Sequence, residues 1–210
     1  MTKRAGVISC VFVFTFLLAG VAGAQSGLKL ADKLVKRAQD TTSAIRTTNL
    51  QVKKTLEHYN YIIDGKADDP RSEYKKLGKE LDKTLKQRED VRTKAQQMQA
   101  AADKYFADWE TNLAGFSSEE MRAKSESQLA DTRENYNKIF EAGSKAGADF
   151  DSFIEKMNDQ IRFLGQNLNP AAIADLKDEA AALNKQGDSF FQAITETLKT
   201  ATDYTESLKP

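Results

Sequence analysis

Across residues 150–183 apolar side chains recur at alternating spacings of three and four, and no other feature of the chain constrains its fold as much. Phe150, Phe153 with Ile154, Met157, Ile161, Leu164 and Leu168 fall on one face of a helix, and that face must find an apolar partner. Asn169 suits the position that caps a helix start. Pro170 suits the first helical position, where its missing N–H has no intrahelical acceptor to lose. The stripe then resumes through Ile173, Leu176, Ala180, Leu183 and Gly187. One helix therefore ends and another begins within a connection so short that the two lie antiparallel, side by side.

The same periodicity extends along the chain. Leu30, Leu34, Ala38, Thr41, Ile45, Thr48, Val52, Leu56, Tyr59 and Ile63 predict a first helix over 30–63, in steps averaging about 3.67 residues, near an eleven-residue repeat and so nearly straight. Ala38, Thr41 and Thr48 leave the middle of this stripe small or polar, which predicts the weakest packing of any helix. Asp64-Gly65 ends it, and Asp69-Pro70 repeats the cap-then-proline device. The second helix carries a sustained heptad from Leu77 to Trp109, with Gly115 as terminator. Ser117 with Glu120 reads as a capping box for a third helix, which passes through Leu129, Tyr136 and Phe140 into the stripe above, with a kink allowed at Gly143 and Gly147. A fourth helix covers 171–208. No segment alternates with the period of a strand. The expected fold is all-α, an elongated antiparallel four-helix bundle with coiled-coil-like packing, forming a single domain over 25–210.

Residues 1–24 carry the three parts of a secretory signal peptide: Lys3 and Arg4, an uncharged apolar run beginning at Val7, and Ala22-Gly23-Ala24 before Gln25. Cleavage there predicts an exported protein, periplasmic or extracellular. Membrane association follows only if the segment is retained as an anchor. The single cysteine, Cys10, lies in the signal core, so the mature chain has no thiol for a disulfide, a metal or covalent catalysis. With 31 basic and 31 acidic residues the chain has no positive excess to hold nucleic acid.

Residue types that carry chemistry are sparse. His58 is the sole histidine and reads as a surface or packing residue. The carboxylates are scattered over solvated helix faces, with no loop-borne pair suited to acid–base work. Residues 143–149 hold two glycines and a lysine, but lack the spacing and the preceding strand of a phosphate loop. Asp64, Asp68, Asp69 and Glu73 fail the calcium-loop order and read as a capping turn. Tyr105 and Trp109 lie on the second stripe and read as core. No catalytic residue, cofactor or metal is expected.

From about Asp64 onward the chain resembles a family of exported bacterial helical proteins known only as a domain of unknown function. The resemblance is carried by Asp64-Gly65 with Tyr74 and Leu77, by Phe106-x-x-Trp109-Glu110, and by Ser125, Leu129, Thr132 and Tyr136. Its most specific part is Asp159-Gln160-x-x-Phe163-Leu164-x-x-Asn167-Leu168-Asn169 with Ile173 and Leu176. Family members often carry a cysteine directly after the signal, and this chain has none there. The resemblance implies export and a helical fold, and brings no activity. Asp159, Gln160, Arg162 and Asn167 stand beside the buried stripe in this specific stretch, where either a structural polar network or a partner site fits them. The function expected is a non-enzymatic structural or protein-binding component of the bacterial cell envelope, with a protein partner there. The alternatives are a helical protein that binds lipid or a membrane surface, or an enzyme using scattered carboxylates.

Overall fold

The computed structural model describes residues 21–207, with side chains described over 26–204. The predicted signal segment and Cys10 lie outside the described residues, except that Val21 and the residues after it open the first helix. The described chain is all-α: α1 (Val21–Ile63), α2 (Pro70–Leu113), α3 (Glu119–Gln166), α4 (Pro170–Asp175) and α5 (Lys177–Ser207).

Local chemistry sets the turns. Gly65 takes the left-handed conformation at φ 67°; its N–H bonds the Ile62 carbonyl at 3.0 Å and the Lys66 N–H bonds the Tyr61 carbonyl at 3.1 Å, which together close α1. Asp69 then caps α2, its carboxylate accepting from the N–H groups of Arg71 and Ser72, with Pro70 at the first helical position. Asn169 caps α4 in the same way, accepting from the Ala172 N–H at 3.0 Å ahead of Pro170. The cap of α3 is Ser118 rather than Ser117, and its hydroxyl accepts from the Met121 N–H. The third helical position is therefore Met121, and Glu120, which pairs with Lys124, cannot complete a reciprocal box.

Two expectations change. First, the single stretch of helix allowed a kink at Gly143 and Gly147 stays helical throughout, α3 running for 48 residues, because an isolated glycine weakens a helix by only about 1 kcal/mol and does not remove its hydrogen bonds. Second, the expected fourth helix is two helices. Buried Leu176 takes φ −91° and ψ −1°, its N–H reaching Ile173 at 3.3 Å, and α5 starts immediately after it. That tightened turn buries both Ala172 and Leu176 at the end of the core.

The contact of α1 with α2 is the most extensive in the fold, because short side chains let two helices come close. In the seam the buried hydroxyls of Thr55 and Thr84 lie 2.9 Å apart, flanked by two buried carboxylates one heptad apart. Glu80 receives Gln51 and Lys83 at 2.8 Å each, with Lys54 at 3.4 Å. Glu73 receives His58 Nδ1, and Lys76 at 3.0 Å. These partners hold both carboxyls below the usual range, Glu80 at about 2, chiefly through Lys83 and then Gln51, and Glu73 chiefly through His58.

Buried side chains form two clusters. The larger unites Val52, Leu56, Tyr59 and Ile62 of α1 with Leu77 and Leu81 of α2, the stripe of α3 around Phe153, Met157 and Leu164, and Leu183 and Phe190 of α5. The smaller gathers Leu34, Ala101, Ala102, Phe106, Leu129 and Tyr136.

Two outcomes are expected. Leu164 is fully buried, so Leu164→Ala lowers the unfolding free energy by about 2–5 kcal/mol in urea titrations. Because the folded Glu80 carboxyl lies below its ordinary value, its stabilisation is complete above pH ~4.5 and is lost as pH falls toward ~2. Glu80→Gln should therefore flatten the fall in melting temperature between about pH 5 and about pH 2; an unchanged acid limb would locate that titration elsewhere.

Candidate functional site

Between the two core clusters the helices line an open-sided chamber of about 630 Å³, within the range of about 300–1,000 Å³ typical of small-molecule sites, with Ser144, Gly147 and Ala148 of its lining exposed to solvent. It is walled by residues 34–49 of α1, 88–98 of α2, 136–151 of α3 and 190–204 of α5. The walls cover 11 to 16 residues each, so at about 1.5 Å per residue the chamber is a slot on the order of 20 Å long, parallel to the helices. The reason for the void is local. Ala38, Thr41 and Thr48 of α1 and Gly143, Ala146 and Gly147 of α3 all line it, and all are too short to fill it. A Cβ added at Gly143 or Gly147 would meet no atom within 4 Å, so those glycines are not required for close contact.

The lining is mostly apolar, with Ile45, Val91, Met98, Ile139, Phe150 and Ile194 among its larger members. Its charged residues are Arg88, Arg92 and Asp151, which meet at one end. Arg88 and Arg92 both donate to the Asp151 carboxylate, Arg92 at 3.1 Å, and both also pair with Glu89. Charges in this group are balanced, and the bridges tie α2 to α3. At the other end stands Tyr136, 9% exposed, its ring stacked on Phe140 and edge-on to Phe106. The Tyr136 hydroxyl is buried without a hydrogen-bond partner among the described residues, as is the Asn49 Oδ1 on the opposite wall. Burial, aided by the charge of Asp103, pushes the Tyr136 phenol up to about 12, so it stays a neutral donor.

The residues singled out beside the α3 stripe lie elsewhere, near the α3–α4 turn. Gln160 turns inward: its side-chain oxygen accepts from the fully buried Tyr59 hydroxyl, and its amide reaches the Glu179 carbonyl at 3.5 Å. Burial, with the nearby Glu179 charge, raises the Tyr59 pKa. Asp159 and Arg162 are exposed and make no ion pair among the described residues, so they do not join Gln160 in one network. Asn167 is exposed and caps the C-terminus of α3. Phe163, between them, is 43% exposed. Three of the four acidic residues around the first turn have their own partners, and Asp68 is the fourth: Asp69 caps α2, Asp64 pairs with Lys66, and Glu73 holds His58 and Lys76. Residues 143–149 are helical and form no loop. Among the described residues no group of three or more histidine, cysteine or carboxylate side chains is placed to hold a metal, and no helix is long and apolar enough to cross a membrane.

Pieces quoted for the family resemblance meet in space. Trp109 Nε1 donates to Ser125 at 2.9 Å, Glu110 pairs with Arg133 at 2.8 Å, and the Tyr204 hydroxyl reaches the Thr132 carbonyl at 3.1 Å. Tyr74 at the start of α2 lies against Gly165 near the end of α3, where any side chain would collide with its ring. The pattern of a protein family of unknown function, DUF2959, matches residues 22–208. The chain belongs to that family. The DUF2959 match takes in α1 as well as the part from Asp64 onward, so all four walls of the chamber lie within the family region. No match to the chain was found among curated proteins or solved structures.

The chamber escaped the sequence reading, although both its causes were visible there: the small stripe of α1 and the paired glycines of α3. Only the register that sets them opposite each other was missing.

Gln160 and Asp159 should part company on substitution. Gln160→Ala strands the buried Tyr59 hydroxyl and is expected to lower stability by about 1–3 kcal/mol. Asp159→Ala is expected to leave the thermal midpoint within the scatter of a surface change, about 0.5 kcal/mol. A marked destabilisation by Asp159→Ala would mean a buried network that includes it.

Proposed function

We propose that the protein is a non-enzymatic binding component of the bacterial cell envelope: an exported, elongated antiparallel four-helix bundle with coiled-coil-like packing, whose interior slot takes an apolar guest. The observation that carries this reading is the chamber itself. A core of this kind ordinarily leaves few gaps larger than a water molecule, whereas here an open-sided, mostly apolar hollow of about 630 Å³ lies between the helices. The signal-like residues 1–24 support the envelope compartment. Of the functions open from sequence, the chamber favours lipid binding over a purely structural role.

A second reading keeps a protein partner. Exposed Phe163, flanked by Asp159 and Arg162 with no ion pair of their own among the described residues, offers an aromatic anchor with both charges beside it. Crosslinking in intact cells with Asp159→Ala and Phe163→Ala tests it, and loss of captured partners from folded variants would support it.

The test of the first reading is a neutral solvatochromic dye, Nile red, titrated into the purified protein. Bright, saturable emission is expected, and Gly143→Leu, which fills the slot where there is room for a side chain, should abolish it while keeping full helicity by circular dichroism. An undiminished dye signal in the filled variant would mean the dye, and the function, lie elsewhere.

A further inference from the structure

The open side of the chamber can be located from its lining. Among the described residues, every lining residue that is exposed to solvent lies on α2 or α3: Arg92 and Gln96 on the first, Ser144, Gly147 and Ala148 on the second. The walls supplied by α1 and α5 contain none. The mouth is therefore a gap in the seam between α2 and α3. On one side of it these two helices are held by apolar packing, with Phe106 edge-on to Tyr136 in the smaller cluster, toward the turn that joins them. On the other side they are held by charge: the Asp151 carboxylate of α3 takes both Arg88 and Arg92 of α2, Arg92 at 3.1 Å. Ser144, Gly147 and Asp151 follow at spacings of three and four, so Asp151 continues the helix face that borders the mouth. Its side chain is 39% exposed and that of Arg92 52%, so water and salt reach this contact, and it can open without disturbing the core.

Resting on the reading that the slot takes an apolar guest, we propose that the guest enters and leaves sideways between α2 and α3, and that the Arg88–Asp151–Arg92 cluster is a clasp that sets the rate. Widening the mouth needs α2 and α3 to part at one of its margins. Parting them at the packed margin exposes aromatic surface, whereas parting them at the charged margin exchanges ion pairs for water. Glu89 lowers the cost further. It lies on α2 and already pairs with both arginines, so when Asp151 withdraws neither guanidinium is left without a carboxylate. The clasp thus has an open form and a closed form of similar energy.

Stopped-flow mixing of the full chain with Nile red gives the association rate, and a chase of the bound dye with excess phosphatidylcholine vesicles gives the dissociation rate. Asp151→Asn should raise both rates together, by about threefold to fivefold, the size expected from exposed ion pairs. Arg92→Gln, which removes one arm, should raise both by less, and it keeps the test decisive if Asp151→Asn lowers the melting temperature. Sodium chloride at about 1 M cuts the screening length to about 3 Å and should speed exchange in the wild-type protein but not in Asp151→Asn; the dye is uncharged, so this salt effect reports on the clasp. Glu110→Gln breaks a bridge to Arg133 between the same two helices, outside the chamber lining, and should leave both rates as they are. Three results would overturn the clasp while the dye-binding reading stands: unchanged rates in Asp151→Asn, a rise in dissociation alone, which would make Asp151 a contact of the guest, or equal acceleration by Glu110→Gln, which would mean general loosening. No saturable dye binding to the wild-type protein would overturn the apolar-guest reading, and the clasp with it.

Discussion

Two helices can lie close together only where the side chains between them are short, and α1 and α2 meet along such a line. Ala44, Thr48, Thr55 and Thr84 are buried on these two helices, with Ala101 and Ala102 toward the far end of α2. Close approach strands polar atoms, and they are satisfied in register: Thr55 with Thr84, Gln51 with Glu80, and His58 with Glu73, with the last two pairs one heptad apart on both helices. The lysines that complete each carboxylate reach in from the surface along their own helix, one turn away. This pair of helices forms the spine on which α3 and α5 are laid.

Short side chains on one wall leave the opposite wall to fill the interior, and α3 does so along only part of its length. Around Phe153, Met157 and Leu164 it supplies large residues, and one dense cluster results. Toward Leu129 and Tyr136 a second cluster forms with Phe106 and Leu34. Beside Ala146 of the larger cluster, Gly143 and exposed Gly147 add no side-chain volume, and an open-sided hollow lies there. A chain built only to be rigid would gain contact energy from larger residues at these positions, since glycine is also a poor helix former.

Much of the fold was legible because its signals are local. Asp69-Pro70 and Asn169-Pro170 mark helix starts through one side chain and one missing N–H, Gly65 marks a helix end through its permitted φ, and the apolar spacing marks each buried face. What was illegible depends on register between distant segments. The break at Leu176 follows from seating that residue in the core. The partner of Gln160 is Tyr59, 101 residues away, so its inward turn carried no sequence signal, while adjacent Asp159 and Arg162, with the same apparent claim, face water. The chamber needed three registers at once, which is why its two halves could be seen in the sequence as weak packing and as a kink without being seen as a site.

Trp109 is the only tryptophan of the chain, and it sits in the smaller cluster, its ring beside Tyr105 and its N–H on Ser125. Its emission thus reports on one end of the molecule, whereas ellipticity reports on every helix. The chamber leaves the two ends joined by helix backbones and a few bridges with little shared core, so the gap between the two denaturation curves is a direct gauge of how strongly one half of the protein feels the other.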